Sequence, residues 1–291
     1  TLVRNDEYNW PSPMFEHTGP AYLDELIYRD MTEYETMASA MEIGEIHIAR
    51  LTEAVLGRFE GNPEFNIMPT PKAGTARNYL LNTQVEPTND IRVRQAVAHA
   101  IDEEGLLELP FLSGYGAPGL APLPRHMMPT GAGVDPIKEL EAHTYEYDPE
   151  KAMALLEEAG WVDEDGDGIR EKDGEDLVFL FPTYTLPEVE AVSGMLRDVG
   201  IEVDIKSGDF NFAFSEWEKR EFQMIISSDS GYDPVRLLTY FFYSESPSDF
   251  IGYTNADAEL GAASQALSLD EMWENLIAAQ AKILEDVAAV P

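Results

Sequence analysis

A mixed α/β architecture is predicted for this chain of 291 residues, and three features of residue order predict it. Near the start, residues 26–29 read as a short strand, 33–43 as a helix stopped by Gly44, and 46–49 as a second strand, a βαβ-like order. The same grammar returns late in the chain, where a helix over Pro187–Asp198 is ended by Gly200 and followed by a strand. Between these lie two capped amphipathic helices.

Taken in order, the first of those helices can be capped by Asn89 or Asp90, since a short polar side chain accepts from the orphan amides of a first turn. Val93, Ala96, Val97, Ala100 and Ile101 then recur at helical spacing, and Gly105 is the expected stop. Residues 114–133 carry Pro118, Pro122, Pro124 and Pro129 among glycines and read as a long ordered loop. The second helix has Asp148 at its cap, Pro149 at its first position and Ala152, Leu155, Leu156 and Ala159 on one stripe, and it ends at Gly160. After Trp161 the residues are those of turns. Beyond Gly200, the residues Ile201, Val203 and Ile205 alternate with Glu202 and Asp204, the period of a half-buried strand. Finally Ser268 and Glu271 form a capping box, ahead of a stripe of Met272, Trp273, Leu276, Ile277, Ile283, Leu284 and Val287. No repeat of solenoid period is present.

With 44% hydrophobic residues the chain can bury a large core, as one big or two ordinary domains. It has no run of about 18 apolar residues to span a bilayer and no leader pattern at Thr1. The formal net charge of −36 argues against nucleic acid or an anionic membrane surface as partner, because phosphates would be repelled. Only 7 of the 19 basic residues are lysine, and an acidic, lysine-poor surface suits a salty medium. The absence of cysteine excludes disulfides and thiolate metal sites.

The chemical motifs are sparse. Gly114, Gly116 and Gly119 spell the dinucleotide-loop pattern, but Pro118 sits inside it and residues 120–124 cannot start the helix that such a loop needs. Asp163, Asp165, Asp167 and Gly168 have the spacing of the first half of a calcium loop. Position twelve is Gly174 and not a bidentate glutamate, so a structural turn is the expectation, with Glu171 or Glu175 as the late ligands calcium would need. The five histidines, 17, 47, 99, 126 and 143, show no ligand spacing, and no nucleophile elbow is present. Neither enzymatic activity nor a cofactor is expected.

Several segments together resemble one receptor family: residues 89–108 (NDIRVRQAVAHAIDEEGLLE), 147–175 (YDPEKAMALLEEAGWVDEDGDGIREKDGE), 2–10 with 22–48, 78–90 (NYLLNTQVEPTND) and 250–255 (FIGYTN). In order and content they are similar to the family 5 extracellular solute-binding proteins, the oligopeptide, dipeptide and nickel receptors of ABC importers. The resemblance implies the periplasmic-binding-protein-like two-lobed clamp, type II, in its large peptide-receptor subclass. It further implies that residues 1–76 are a piece of the first lobe and 77–291 the second, with both ends of the family's chain missing here.

The implied function is capture of oligopeptides or dipeptides in an interlobe cleft outside the cytoplasmic membrane, periplasmic or lipid-anchored, and delivery to permease subunits and their ATPases. In peptide-binding members an aspartate a few residues before an Asp-Pro pair holds the peptide's α-ammonium. Here Asp233 and Pro234 match that pair, but Asp229 stands five residues before the proline, where peptide members place the acid four before it, at Ser230. The usual tryptophan is also absent. Either Asp229 is retained as the amine anchor, or the anchor is gone and the ligand lacks a free amino terminus. Ser228, Asp229, Ser230, Tyr232, Tyr240, Trp217 and Asn82 are the ligand-binding residues expected on this resemblance. Two other functions stay open: a receptor for an oligosaccharide, opine or metal chelate on the same fold, and a sensory or chaperone-like interaction protein.

Overall fold

A computed structural model describes residues 1–10, 17–51, 53–68, 74–109, 119–129, 135–184 and 187–291. The chain divides into two compact units, Thr1–Pro69 and Thr70–Pro291.

In the smaller unit β1 (Leu2–Val3) pairs antiparallel with β2 (Glu25–Leu26), and two helices follow, α1 (Tyr34–Glu42) and α2 (Glu53–Leu56). Ala38, Val55 and Phe59 make its small core. The expected βαβ order is corrected here. The strand ends at Leu26, its partner is β1, and residues 46–49 form no strand. Ile48 is 84% exposed. A strand needs a neighbour to receive its amides and carbonyls, and residues 46–49 pair with no strand among the described residues.

The larger unit is built on a three-stranded antiparallel sheet, with β3 (Asn78–Leu81) flanked by β8 (Met224–Ser227) and β9 (Ala289–Val290). All four residues of β3 are buried, as a central strand covered on both faces requires. Side-chain alternation assigns the faces: Leu80 and Ile225 enter one core with Phe242 and Leu276, while Tyr79, Leu81, Met224 and Ile226 enter another with Val97 and Leu156.

Three capped helices bear out the sequence reading. In α3 (Ile91–Ala100) Asp90 accepts from the Arg92 amide. The chain then restarts as α4 (Glu103–Leu107) with Asp102 as its cap, so Gly105 lies inside a new helix and does not stop the old one. After α5 (Pro136–Glu141), α6 (Pro149–Glu158) carries its cap on Asp148, which accepts from Lys151, and buries Ala152 and Leu156.

A hairpin, β4 (Glu171–Lys172) and β5 (Glu175–Asp176), leads into β6 (Val178–Thr183), and α7 (Pro187–Asp198) crosses over to β7 (Glu202–Ser207), which runs parallel to β6. Then follow α8 (Phe210–Lys219), β8, α9 (Pro234–Phe242), α10 (Asp257–Gln265) and α11 (Leu269–Glu285) before β9 closes the sheet. Ser268 caps α11 by accepting from Glu271, whose carboxylate reaches back to the Leu267 amide. Of the expected loop 114–133, residues 119–129 are described. They bury Leu120, Ala121 and Leu123 and make one 3₁₀ turn, Arg125–Met127. Gly114, Gly116 and Pro118 lie outside the described residues. Among the described residues no helix is long and apolar enough to cross a membrane.

Candidate functional site

The loop that leaves β8 carries most of the expected ligand residues, and its backbone is clamped from one side. Thr75 donates its amide to the Asp229 carbonyl (2.9 Å) and accepts the Asp229 amide on its hydroxyl (2.8 Å), while Gly74 and Ser230 form an isolated antiparallel bridge. A Cβ on Gly74 would lie 2.0 Å from the Asp229 carbonyl oxygen, so only glycine permits this approach. From the other side Asp233 caps α9, accepting from the amides of Val235 and Arg236, with Pro234 at the first helical position. Leu237, Leu238, Phe241 and Phe242 sink the opposite stripe of α9 into the core. Ser228–Asp233 is thus a loop held at both ends.

On this platform the Asp229 carboxylate is already engaged. Its Oδ1 accepts from the Ser230 amide (2.7 Å). Its buried Oδ2 sits 2.7 Å from Arg236 Nη1, an ion pair whose angle falls short of a hydrogen bond. Arg236 Nη2 also donates to the Ser230 carbonyl (2.9 Å), and its guanidinium carbon lies 5.9 Å from the centre of the Tyr240 ring, one turn further along α9. Tyr232, in the same loop, is 87% exposed. Asp229, Ser230 and Tyr240 are therefore brought together around Arg236, directly after Ser228.

Asn82 and Trp217 do not join this group. Asn82 follows the far end of β3, about 13 Å along the strand from Asn78, which pairs with Ser227 beside the loop. Its amide is spent internally, donating to the Arg220 carbonyl and accepting from the Gln84 amide. Trp217 is 2% exposed in the core, and its indole N–H donates to the Pro182 carbonyl (3.0 Å). Both satisfy polar groups of the fold. Sequence reasoning missed Arg236, although a signal was available: it is the one basic residue between positions 221 and 281, among ten acidic ones.

Elsewhere, Asp163, Asp165, Asp167 and Glu171 bring carboxylate oxygens within 4.8 Å of one another. Glu175 is outside that group. Loop amides occupy these acids, since Gly166 and Gly168 donate to Asp163, Asp167 to Asp165 and Ile169 to Asp167. The turn joins α6 to the β4–β5 hairpin.

Comparison with known proteins bears on the family and the fold. Residues 1–249 match the family model described as bacterial extracellular solute-binding proteins, family 5 Middle. The nickel-binding periplasmic protein of Escherichia coli (strain K12) is 27% identical over 250 residues, covering 82% of this chain and 44% of that protein. The oligopeptide-binding protein AppA of Bacillus subtilis (strain 168) is 28% identical over 210 residues, 69% of this chain and 35% of that protein. Its structure in complex with a nonapeptide superposes with a TM-score of 0.75 at 23% identity, covering 94% of this chain and 55% of that one. The solute-binding protein MoaA of A. tumefaciens R10, in complex with mannopinic acid, superposes with a TM-score of 0.71 at 22% identity, covering 94% and 54%. These relatives are solute-binding proteins, and the chain spans less than half the length of the nickel-binding protein and of the AppA sequence. The chain belongs to the family 5 bacterial extracellular solute-binding proteins, with the α/β fold of their type II two-lobed clamp.

Proposed function

We propose that this chain is the solute-capturing part of an ABC importer's receptor, working outside the cytoplasmic membrane and taking oligopeptides or dipeptides. The observation that carries the reading is the family match over residues 1–249, and the platform Ser228–Asp233 with Tyr240 supplies a place for the solute. The Thr70–Pro291 unit would be one wall of the clamp and Thr1–Pro69 a piece of the other lobe. Such a receptor binds without chemistry: it closes on the solute, hinge residues absorb the closure, and the closed form docks on permease subunits coupled to ATPases. No enzymatic step is assigned.

A second reading has its own support. Because Arg236 already neutralises Asp229, a ligand ammonium is not needed there, which favours an opine, metal chelate or other solute without a free amine. Native mass spectrometry of the protein purified in high salt, followed by denaturation to release any co-purified solute, decides between them. A ladder of short peptides is expected. An opine, sugar or chelate would leave the importer reading standing and remove the peptide one, and a receptor that never retains a small molecule would sink both.

A further inference from the structure

We propose that Arg236, not Asp229, is the charge this site presents to its ligand, that Asp229 is the built-in counter-ion of Arg236, and that the ligand class selected is one bringing a carboxylate to the guanidinium. The inference rests on the platform being the solute site, as proposed above.

Both Asp229 oxygens are accounted for, Oδ1 by the Ser230 amide and Oδ2 by Arg236, so a ligand ammonium would have to evict the guanidinium to reach the carboxylate. Evicting it would also break the Nη2 bond to the Ser230 carbonyl and the contact with the Tyr240 ring. Arg236 is held where it stands. Gly231 makes room for it, since a Cβ there would lie 3.0 Å from Nη2, and α9 fixes the stem through its Asp233 cap.

A guanidinium has five N–H groups in a planar fork. Here one is given to the Ser230 carbonyl and one faces Asp229, which leaves Nε–H and the second hydrogens of Nη1 and Nη2 for an incoming anion. The side chain is 46% exposed, so those donors are reachable. Along the chain Arg236 is the one basic residue among ten acids between 221 and 281, so this segment offers an incoming anion no other cation. That contrast fixes the register of a bound carboxylate. In a salty medium the long-range repulsion is screened within a few ångströms while a direct fork-to-carboxylate contact is not.

The test uses two pools of synthetic pentapeptides on the intact protein, one N-acetylated with a free C-terminal carboxylate, the other with a free amine and a C-terminal amide. Binding is read by calorimetry on the native protein, on Arg236→Gln and on Asp229→Asn, with thermal unfolding as the check on folding. The expected result is preference for the acetylated acid pool, weakened about 10- to 100-fold in Arg236→Gln and weakened less in Asp229→Asn, which removes the counter-ion but leaves the fork. Arg236→Lys keeps the charge without the fork and should fall between. Preference for the free-amine pool, or an unchanged affinity in a folded Arg236→Gln protein, would overturn the assignment. If neither pool binds the native protein, the peptide reading fails separately. The co-purified solute then decides: one carrying a carboxylate whose retention is lost in Arg236→Gln upholds the role of Arg236, and any other overturns it.

Discussion

Arg94 explains physically why two of the segments that carry the family resemblance occur together. Its guanidinium is 7% exposed and donates to the carbonyls of Thr88 (2.7 Å), Asn89 (3.1 Å) and Asp286 (2.8 Å). The Asp286 carboxylate in turn accepts from the Tyr253 hydroxyl (2.8 Å) and Asn255 Nδ2 (2.7 Å). Burial lowers the Arg94 pKa from its ordinary value, and the nearby Asp286 charge opposes that shift. Segments 89–108 and 250–255 are thus fastened at one polar junction, a structural duty and not a ligand contact. Tyr253→Phe should cost about 1–2 kcal/mol in urea unfolding, since Asp286 loses a buried donor, and leave solute affinity alone. Unchanged stability would show that the junction contributes nothing. A second, half-buried group makes stability depend on pH. Burial pushes the Glu103 carboxyl up to about 8, against the Gly119 amide, which pulls it down. Between about pH 4.5 and 8 the folded chain keeps this proton and the unfolded chain has released it, so stability falls as pH rises through that window. The contribution is whole below the unfolded value and gone above 8. Relative to Glu103→Gln, whose side chain does not titrate, the native protein should lose up to about 1.4 kcal/mol per pH unit across the window. Parallel stability curves for the two proteins would refute it.

Among the elements, Gly74 is the point where one substitution reports on the platform as a whole. A methyl there meets the Asp229 carbonyl at 2.0 Å and Ser230 Cα at 2.8 Å, both backbone atoms that cannot step aside cheaply. Gly74→Ala should lower stability by about 1–3 kcal/mol and weaken solute binding. Gly261→Ala is the control, because in α10 it meets only the Tyr243 hydroxyl at 3.9 Å, and alanine there should be neutral or stabilising. Equal behaviour of the two variants would mean the 74–75 clamp does not hold the loop. Helix starts were the most legible elements, since Asp90, Asp148 and Ser268 each sit next to an apolar stripe and each accepts an amide as read. The α7–β7 unit was legible too, because Gly200 and the alternation after it are local signals. Local signals do not name partners. The strand expected at 46–49 lacked one, and the sheet that joins 78–81 to 224–227 and 289–290 spans the chain, so no window shows it. The site was half legible for the same reason. Asp229 and the tyrosines were nominated by type and position, whereas the backbone partners that occupy Asn82 and Trp217, and the approach of Arg236, exist only in three dimensions.

For the molecule as a whole, charge is the property that most sets this chain apart. Nineteen basic residues against 55 acidic ones leave −36, and the described ion pairs are mostly on the surface, where each contributes little. Folding gathers those acids into a smaller volume, so self-repulsion opposes the compact state and salt relieves it. Screening has a definite signature, since the Debye length falls from about 10 Å at 0.1 M to about 3 Å at 1 M and changes little in absolute terms beyond. The thermal midpoint should therefore climb by several degrees between 0.1 and 1 M sodium chloride and then flatten, in scanning calorimetry at neutral pH. Replacing chloride by sulfate at equal ionic strength separates the alternatives: a midpoint set by screening moves little, whereas one set by burial of apolar surface rises further. The second possibility is not idle, because Trp10, Tyr22, Tyr28 and Ile48 of the Thr1–Pro69 unit are all more than 60% exposed. A midpoint that ignores sodium chloride up to 1 M would remove the reading of this surface as an adaptation to salt, and the acids would then need a duty of their own.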